Sequence, residues 1–150
     1  MSFFGIFDNL CTIPTVSVKV YFFNIFCVCF LILSLMVLLT GIVKNQESRI
    51  EAVKIVWEVG DVKEVINEIE IGDKPTIKEY ANDVWITAQI KALAAKDIGL
   101  RSISYNIETI RGRVFLAGIT SRPEQLETLI KITKSIKGVK EVVNYVVVKE

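Results

Sequence analysis

Histidine is absent from this 150-residue chain, and cysteine is confined to Cys11, Cys27 and Cys29 near the N-terminus. The absence of histidine removes the commonest general base and the commonest metal ligand at once. The sequence also lacks a glycine-rich phosphate loop, a CxxC pair and an arrangement that would activate a serine or cysteine. It therefore predicts a protein that is not an enzyme and has no catalytic residues, no metal site and no cofactor.

Charged residues are missing from Val20 to Val43. This run exceeds the roughly 18 apolar residues that a membrane-spanning helix needs. Hydropathy thus predicts a transmembrane helix or an uncleaved signal anchor over about 20–43, within a hydrophobic N-terminal segment, residues 1–36. Residues 37–43, however, also have the pattern of the opening strand of a module that the chain repeats.

Three interpretations of this segment stay open. In the first, a membrane helix ends near Thr40 and the first module lacks its front part. In the second, the reading frame or the start site is wrong upstream of about residue 37, so that the segment is an artefact. The third is a cleaved secretory peptide, for which Lys19 supplies little positive charge and no small-residue cleavage site follows.

The rest of the chain is one module used twice. Residues 37–71 align without a gap with residues 114–148, an offset of 77 positions, and Gly41/Gly118, Lys54/Lys131 and Asn67/Asn144 are among the identical pairs. Each copy predicts a strand, a helix and a strand. In the second copy we expect a capping box of Ser121 and Glu124 to open the helix.

The second copy also has a front half. Residues 76–95 predict a long helix that buries Ile86, Ile90 and Leu93, and residues 102–108 alternate as a half-buried strand does. The Arg111-Gly112-Arg113 sequence predicts a hairpin turn. Residues 76–150 therefore predict an α+β fold in which two helices cover one face of a three-stranded sheet. At the same offset, residues 1–36 show the pattern of neither the helix nor the alternating strand.

The predicted order helix-strand-strand-helix-strand resembles the BON domain family, as do the AND-WIT start of the first helix, the GRVFLAG strand and the GVKEVVN sequence before the last strand. The resemblance implies a BON-type αββαβ sandwich with a mixed sheet. It covers a complete second module, residues 73–150, and a partial first module, residues 37–72. It further implies a non-enzymatic, membrane-associated protein on the periplasmic side of a bacterial envelope, with a role in envelope integrity or stress tolerance.

Some members of this family are outer-membrane lipoproteins, whose acylated cysteine follows a small residue. The cysteines here depart from that pattern, because they follow large apolar residues: Leu10 precedes Cys11, Phe26 precedes Cys27 and Val28 precedes Cys29. We interpret these cysteines as apolar residues of the N-terminal segment.

The resemblance also implies a binding site. In members with two BON domains, the first helix of the second domain is the phospholipid-binding face. The positions that match this face are Tyr80, Asn82, Trp85, Ile86 and Gln89. Trp85 lies about 100° round the helix from Ile86, so we expect it to be partly exposed as an interfacial anchor. The alternative is that it packs over the sheet edge or against the first module.

Charge differs between the two modules. Residues 37–74 contain five Lys/Arg and eight Asp/Glu, a net charge of −3, whereas residues 75–150 contain twelve and eight, a net charge of +4. The second module is therefore predicted to meet an anionic phospholipid membrane. We expect no nucleic-acid partner. The alternatives are a protein-interaction module of an envelope complex and a BON protein that senses a small ligand or an ion.

Overall fold

The computed structural model describes residues 18–23, 35–58, 62–97, 99–100 and 104–149. The chain divides into two compact units, Met1–Lys74 and Pro75–Glu150. Within the described residues both units are α+β, as the sequence predicts, and each contains a mixed three-stranded sheet.

The first unit has one helix packed on one face of its sheet. Strand β2 is central and pairs antiparallel with β1 and parallel with β3. Ala52 and Val56 of the helix are buried with Val37 and Leu39 of the central strand and Ile69 of its parallel neighbour. The elements are β1 (Val18–Phe23), β2 (Leu35–Val43), α1 (Gln46–Glu58) and β3 (Val62–Ile71).

The second unit has the predicted order αββαβ. Strand β5 is central and pairs antiparallel with β4 and parallel with β6. Both helices contribute to one core, in which Ile86, Ile90, Leu116 and Leu129 have no exposed surface. The elements are α2 (Ile77–Lys96), β4 (Ser104–Ile110), β5 (Arg113–Thr120), α3 (Pro123–Ser135) and β6 (Glu141–Val148).

The repeat holds down to individual hydrogen bonds. Gly41 pairs with Ile69 in the first sheet as Gly118 pairs with Val146 in the second, which preserves the offset of 77. Asn67 Oδ1 accepts from the Ile69 N–H at 3.1 Å, and in the second copy Asn144 Oδ1 accepts from the Val146 N–H at 3.0 Å. A gapless alignment imposes the same strand register on both copies, because a slip by one residue would turn every side chain to the opposite face.

The prediction that residues 1–36 contain no counterpart of the front strand is wrong for Val18–Phe23. This segment is β1, and Phe23 pairs with Met36 as Ile110 pairs with Arg113 in the second unit. Because the connection after β1 is longer than the hairpin turn after β4, the strand lies off the gapless offset. A search at that offset misses it.

The predicted transmembrane helix over residues 20–43 is not confirmed. Its two ends are strands β1 and β2, and residues 24–34 lie outside the described part of the chain. A central strand buried on both faces is apolar without alternation, and Val37, Leu38 and Leu39 are all buried. Such a strand therefore has the hydropathy of a membrane segment. None of the helices in the described ranges is both long and apolar enough to cross a membrane.

The turn prediction is confirmed, and the capping prediction is wrong. Arg111 and Gly112 have φ values of 51° and 81°, so the two-residue hairpin has positive φ at both positions, as type I′ turns require. Helix α3 begins at Pro123 after Arg122, with no side-chain capping bond. Proline at the first helical position needs no partner for an N–H group, and its fixed φ suits the start of a helix.

Candidate functional site

Helix α2 begins with a capping box that sequence analysis did not identify. Thr76 Oγ1 accepts from the Glu79 N–H at 3.2 Å, and Glu79 Oε2 accepts from the Thr76 N–H at 2.8 Å. These reciprocal bonds satisfy two backbone donors that would otherwise lack a partner in the first turn. The Thr76 N–H and O–H groups both donate to Glu79 Oε2 at 2.8 Å and lower the pKa of this carboxyl, and the nearby positive charges of Arg111 and Lys140 lower it further.

The inner face of α2 holds the helix on the sheet. Ile86, Ile90 and Ala94 have no exposed surface and belong to the core. Ile86 therefore supports the predicted phospholipid-binding face from inside and is unavailable to a ligand at the surface, which corrects its place among the site residues. Leu93, predicted to be buried, is 37% exposed.

The opposite face of α2 is apolar and exposed. Tyr80 and Trp85, both predicted site residues, are 61% and 48% exposed. Ile77 and Val84, which sequence analysis missed, are 90% and 51% exposed. These four side chains, Ile77, Tyr80, Val84 and Trp85, form the α2 outer face. The spacing of three and four residues from Ile77 through Tyr80 to Val84 is the signal that could have revealed it.

The two remaining predicted residues lie at the border of this face. Asn82 is exposed and Gln89 is half-buried. A Cβ atom on Gly138 would lie 3.5 Å from Asn82 Nδ2 and 3.1 Å from Ile86 Cδ1, so the turn after α3 approaches α2 closely. Gly138 has φ of 102°, a conformation that favours glycine.

A hydrogen-bonded clamp fixes α2 to the β4–β5 hairpin. Asp83 is 7% exposed, and its two carboxylate oxygens accept from the backbone N–H groups of Arg111 at 2.7 Å and Gly112 at 2.9 Å. Because both bonds are charge-assisted, they orient the helix more firmly than neutral bonds would.

Helix α3 lies beside α2 in the opposite direction. Gly138, after the end of α3, lies against the first half of α2, whereas Gln125 at the start of α3 donates to the Gly99 carbonyl beyond the end of α2 at 2.6 Å. The C-terminal half of α3 therefore lies beside the half of α2 that carries Tyr80 and Trp85. The exposed lysines of that region, here called the basic flank, are Lys131, Lys134 and Lys137.

The described residues bring together no group of three Asp, Glu or Cys side chains that could hold a metal ion. The chemistry that this region offers consists of an exposed apolar helix face with two aromatic residues, and of exposed lysines on the neighbouring helix α3 and the turn that follows it.

The fold is thus a duplicated α+β module whose second copy carries an exposed apolar helix. A model of the BON domain matches residues 35–73 and 82–150. The chain belongs to the BON domain family.

Three relatives illustrate the similarity. A protein of Anaplasma centrale called "Uncharacterized protein in gshII 5′region" is 44% identical over 111 residues, which are 73% of this chain and 74% of that protein. Osmotically-inducible protein Y of Escherichia coli is 34% identical over 72% of this chain and 55% of its own length. Outer membrane lipoprotein DolP of Haemophilus influenzae is 30% identical over 71% of this chain. The aligned region is 55% of that lipoprotein, so the chain spans about half the length of the last two relatives.

Proposed function

We propose that this BON protein acts in the bacterial envelope and docks on anionic phospholipid through the α2 outer face. The observation that carries the proposal is that four large apolar side chains are exposed together on one helix. Soluble proteins seldom leave such a patch uncovered unless it is a contact surface. We further propose that the docked protein contributes to envelope integrity or stress tolerance.

The side chains of this face suit a membrane interface. Trp85 and Tyr80 each combine an apolar ring with one polar group, a combination that favours the boundary between lipid and water. Ile77 and Val84 add purely apolar surface between them. Asn82 and Gln89, at the border, would lie at headgroup depth.

The charge of the second module supports docking on a membrane surface that is anionic. The basic flank lies beside the aromatic half of α2, and residues 75–150 have a net charge of +4. Each lysine or arginine near an acidic bilayer contributes about 1 kcal/mol of attraction. Shallow insertion of the α2 outer face and attraction of Lys131, Lys134 and Lys137 would therefore act together.

The relatives support placement in the envelope. One is named an outer membrane lipoprotein and another an osmotically-inducible protein. This chain has the same type of domain. The matched region resumes at residue 82, so it includes Val84 and Trp85 of the α2 outer face, whereas Ile77 and Tyr80 precede it.

Co-sedimentation with liposomes tests the proposal. The full chain should sediment with vesicles that contain phosphatidylglycerol and much less with phosphatidylcholine vesicles. Because surface attraction is screened over about 10 Å at 0.1 M salt, added salt should weaken binding. Trp85→Ala should reduce binding by about tenfold or more, the loss expected for one buried aromatic side chain.

Trp57→Ala is the matched control. The chain has two tryptophans, and Trp57 on α1 is 52% exposed, close to the 48% of Trp85. Its removal should leave vesicle binding unchanged. This result would show that binding depends on the α2 outer face and not on exposed aromatic surface in general. In a Trp57→Phe background, the emission of Trp85 should shift to the blue on mixing with acidic vesicles. Equal binding to both kinds of vesicle, or normal binding by Trp85→Ala, would contradict the proposal.

A further inference from the structure

The two copies of the module differ at matched positions on their last helices, α1 and α3. Ile50 and Trp57 on α1 are 46% and 52% exposed. At the same offset of 77, α3 carries Glu127 and Lys134, which are also exposed. Since the fold accepts charged residues at these positions, it does not require the apolar ones. Ile50 and Trp57 therefore point to a contact that only the first copy makes, and this inference is independent of the α2 outer face.

A shallow groove of about 360 Å³ within the first unit is lined in part by Ile50. Its sides combine two cations, two amides and two aliphatic side chains, without a carboxylate. Asn67 Oδ1 already accepts from the Ile69 N–H, so the remaining polar group of this side chain is its NH₂ donor. The residues that line this α1 groove are Gln46, Arg49, Ile50, Val53, Lys54 and Asn67.

The second copy lacks this combination. Leu126 replaces Arg49 and Glu127 replaces Ile50, while a lysine is kept at the position of Lys54. The formal charge of the six positions falls from +2 in the first copy to 0 in the second. A groove lined by two cations and two aliphatic side chains is thus a property of the first copy and not of the fold.

We propose that the α1 groove binds an acidic peptide segment of a partner protein. A carboxylate of the segment would pair with Arg49 and Lys54, and an aliphatic side chain would cover Ile50 and Val53. Arginine suits this role because its planar guanidinium can bond a carboxylate through two N–H groups.

The charge of the first module decides between a peptide and an anionic bilayer. Residues 37–74 have a net charge of −3, and α1 itself carries Glu47, Glu51 and Glu58. A bilayer presents a plane of negative charge and would meet these groups as well as the groove, which gives net repulsion. A peptide is small enough to place its carboxylates at Arg49 and Lys54 without approaching these glutamates.

Fluorescence anisotropy of labelled synthetic peptides tests this proposal on the full chain. A short peptide that alternates leucine and glutamate should bind. One that alternates leucine and lysine, and one that alternates serine and glutamate, should bind at least about tenfold more weakly, since each lacks one half of the recognition. Equal binding of the glutamate and lysine peptides would overturn the proposal.

The second copy supplies the variants. Arg49→Leu and Ile50→Glu each introduce the residue that the same fold already carries in α3, so both proteins are expected to fold. Each should weaken binding of the leucine–glutamate peptide by about tenfold, the equivalent of one charge-assisted bond or one buried aliphatic contact. Lys63→Leu is the matched control, because it removes one exposed positive charge from the first module at a residue that does not line the α1 groove. It should not change binding.

Two further results would overturn the inference. If Arg49→Leu and Lys63→Leu weaken binding equally, net charge and not the α1 groove attracts the peptide. If phosphatidylglycerol vesicles bind through the groove, so that Ile50→Glu abolishes sedimentation, the occupant is lipid. The Trp85→Ala experiment tests lipid binding by α2, whereas the peptide experiments test the groove on α1. Either proposal can therefore fail while the other holds.

Discussion

Asp83 and Gly112 are joined by a hydrogen bond of 2.9 Å, from the backbone N–H of the glycine to one carboxylate oxygen of the aspartate. The second oxygen accepts from Arg111 N–H at 2.7 Å. One buried carboxylate thus satisfies both donors of a tight turn and attaches that turn to the first half of α2. Helix α2 is held against the sheet by this contact as well as by Ile86 and Ile90, and its outer face is thereby fixed toward solvent.

Asp83→Ala should lower the free energy of unfolding of the second unit by about 2–4 kcal/mol, because it removes two charge-assisted bonds and leaves two N–H groups without their acceptor. Asp83→Asn retains one carbonyl acceptor and should cost less. Urea denaturation followed by circular dichroism measures both. Glu127→Ala, an exposed change on α3, is the control and should stay within about 0.5 kcal/mol of the parent. An equally small effect of Asp83→Ala would show that the clamp contributes little.

Gly112→Ala should destabilise the second unit by about 1–3 kcal/mol. Gly112 has φ of 81°, and an added Cβ atom would lie 2.8 Å from the Gly138 carbonyl oxygen. Gly99→Ala is the comparison, because the nearest atom to its Cβ is a side-chain oxygen of Asp97 at 3.1 Å. A side chain moves at a lower energetic cost than backbone does, so the melting temperature of Gly99→Ala should be closer to that of the parent. Equal melting temperatures for the two variants would argue against strain at the turn.

The repeat explains why so much of the fold was predictable. Because the two copies align without a gap, one set of elements and one register serve both. The Arg111-Gly112-Arg113 sequence predicts the hairpin turn by itself. Strand β1 escaped prediction because its connection to β2 breaks the offset, and β2 resembles a membrane segment because it is buried on both faces. The periodicity of apolar residues could reveal neither the presence of β1 nor the difference between a buried strand and a membrane helix.

The candidate site was predicted only in part for a related reason. Helix α2 is apolar on both sides, with Ile86 and Ile90 inside and Tyr80 and Trp85 outside. A helix of this kind has no unique apolar stripe, so spacing alone does not say which residues face the core. Leu93 was therefore placed inside, and the outer pair Ile77 and Val84 was missed. Tertiary packing decides the assignment.

Acid should reduce the contribution of Glu79 to stability. The bonds from Thr76 lower the pKa of Glu79 in the folded state. A lowered folded pKa gives stability that is fully present above the ordinary glutamate pKa and is lost as the pH falls through the lowered value. Glu79→Gln should therefore melt below the parent at neutral pH, and the two melting curves should converge in strong acid. Thr76→Ala removes the hydroxyl group that donates to the Glu79 carboxylate. Its melting temperature should also approach that of the parent in acid, to a smaller extent. A difference that widens on acidification would contradict this assignment.

Residues 73–150 should fold alone, because the side chains of the second core all come from this part of the chain. Thermal denaturation of the fragment should show one cooperative transition. Leu116→Ala should lower its stability by about 2–5 kcal/mol, the usual cost of truncating a fully buried leucine. Leu39 is the counterpart of Leu116 in the first copy and is equally buried. In the intact chain, Leu39→Ala should therefore leave the transition that the fragment defines unchanged. Non-cooperative melting of the fragment, or a shift of that transition by Leu39→Ala, would show that the two copies do not fold independently.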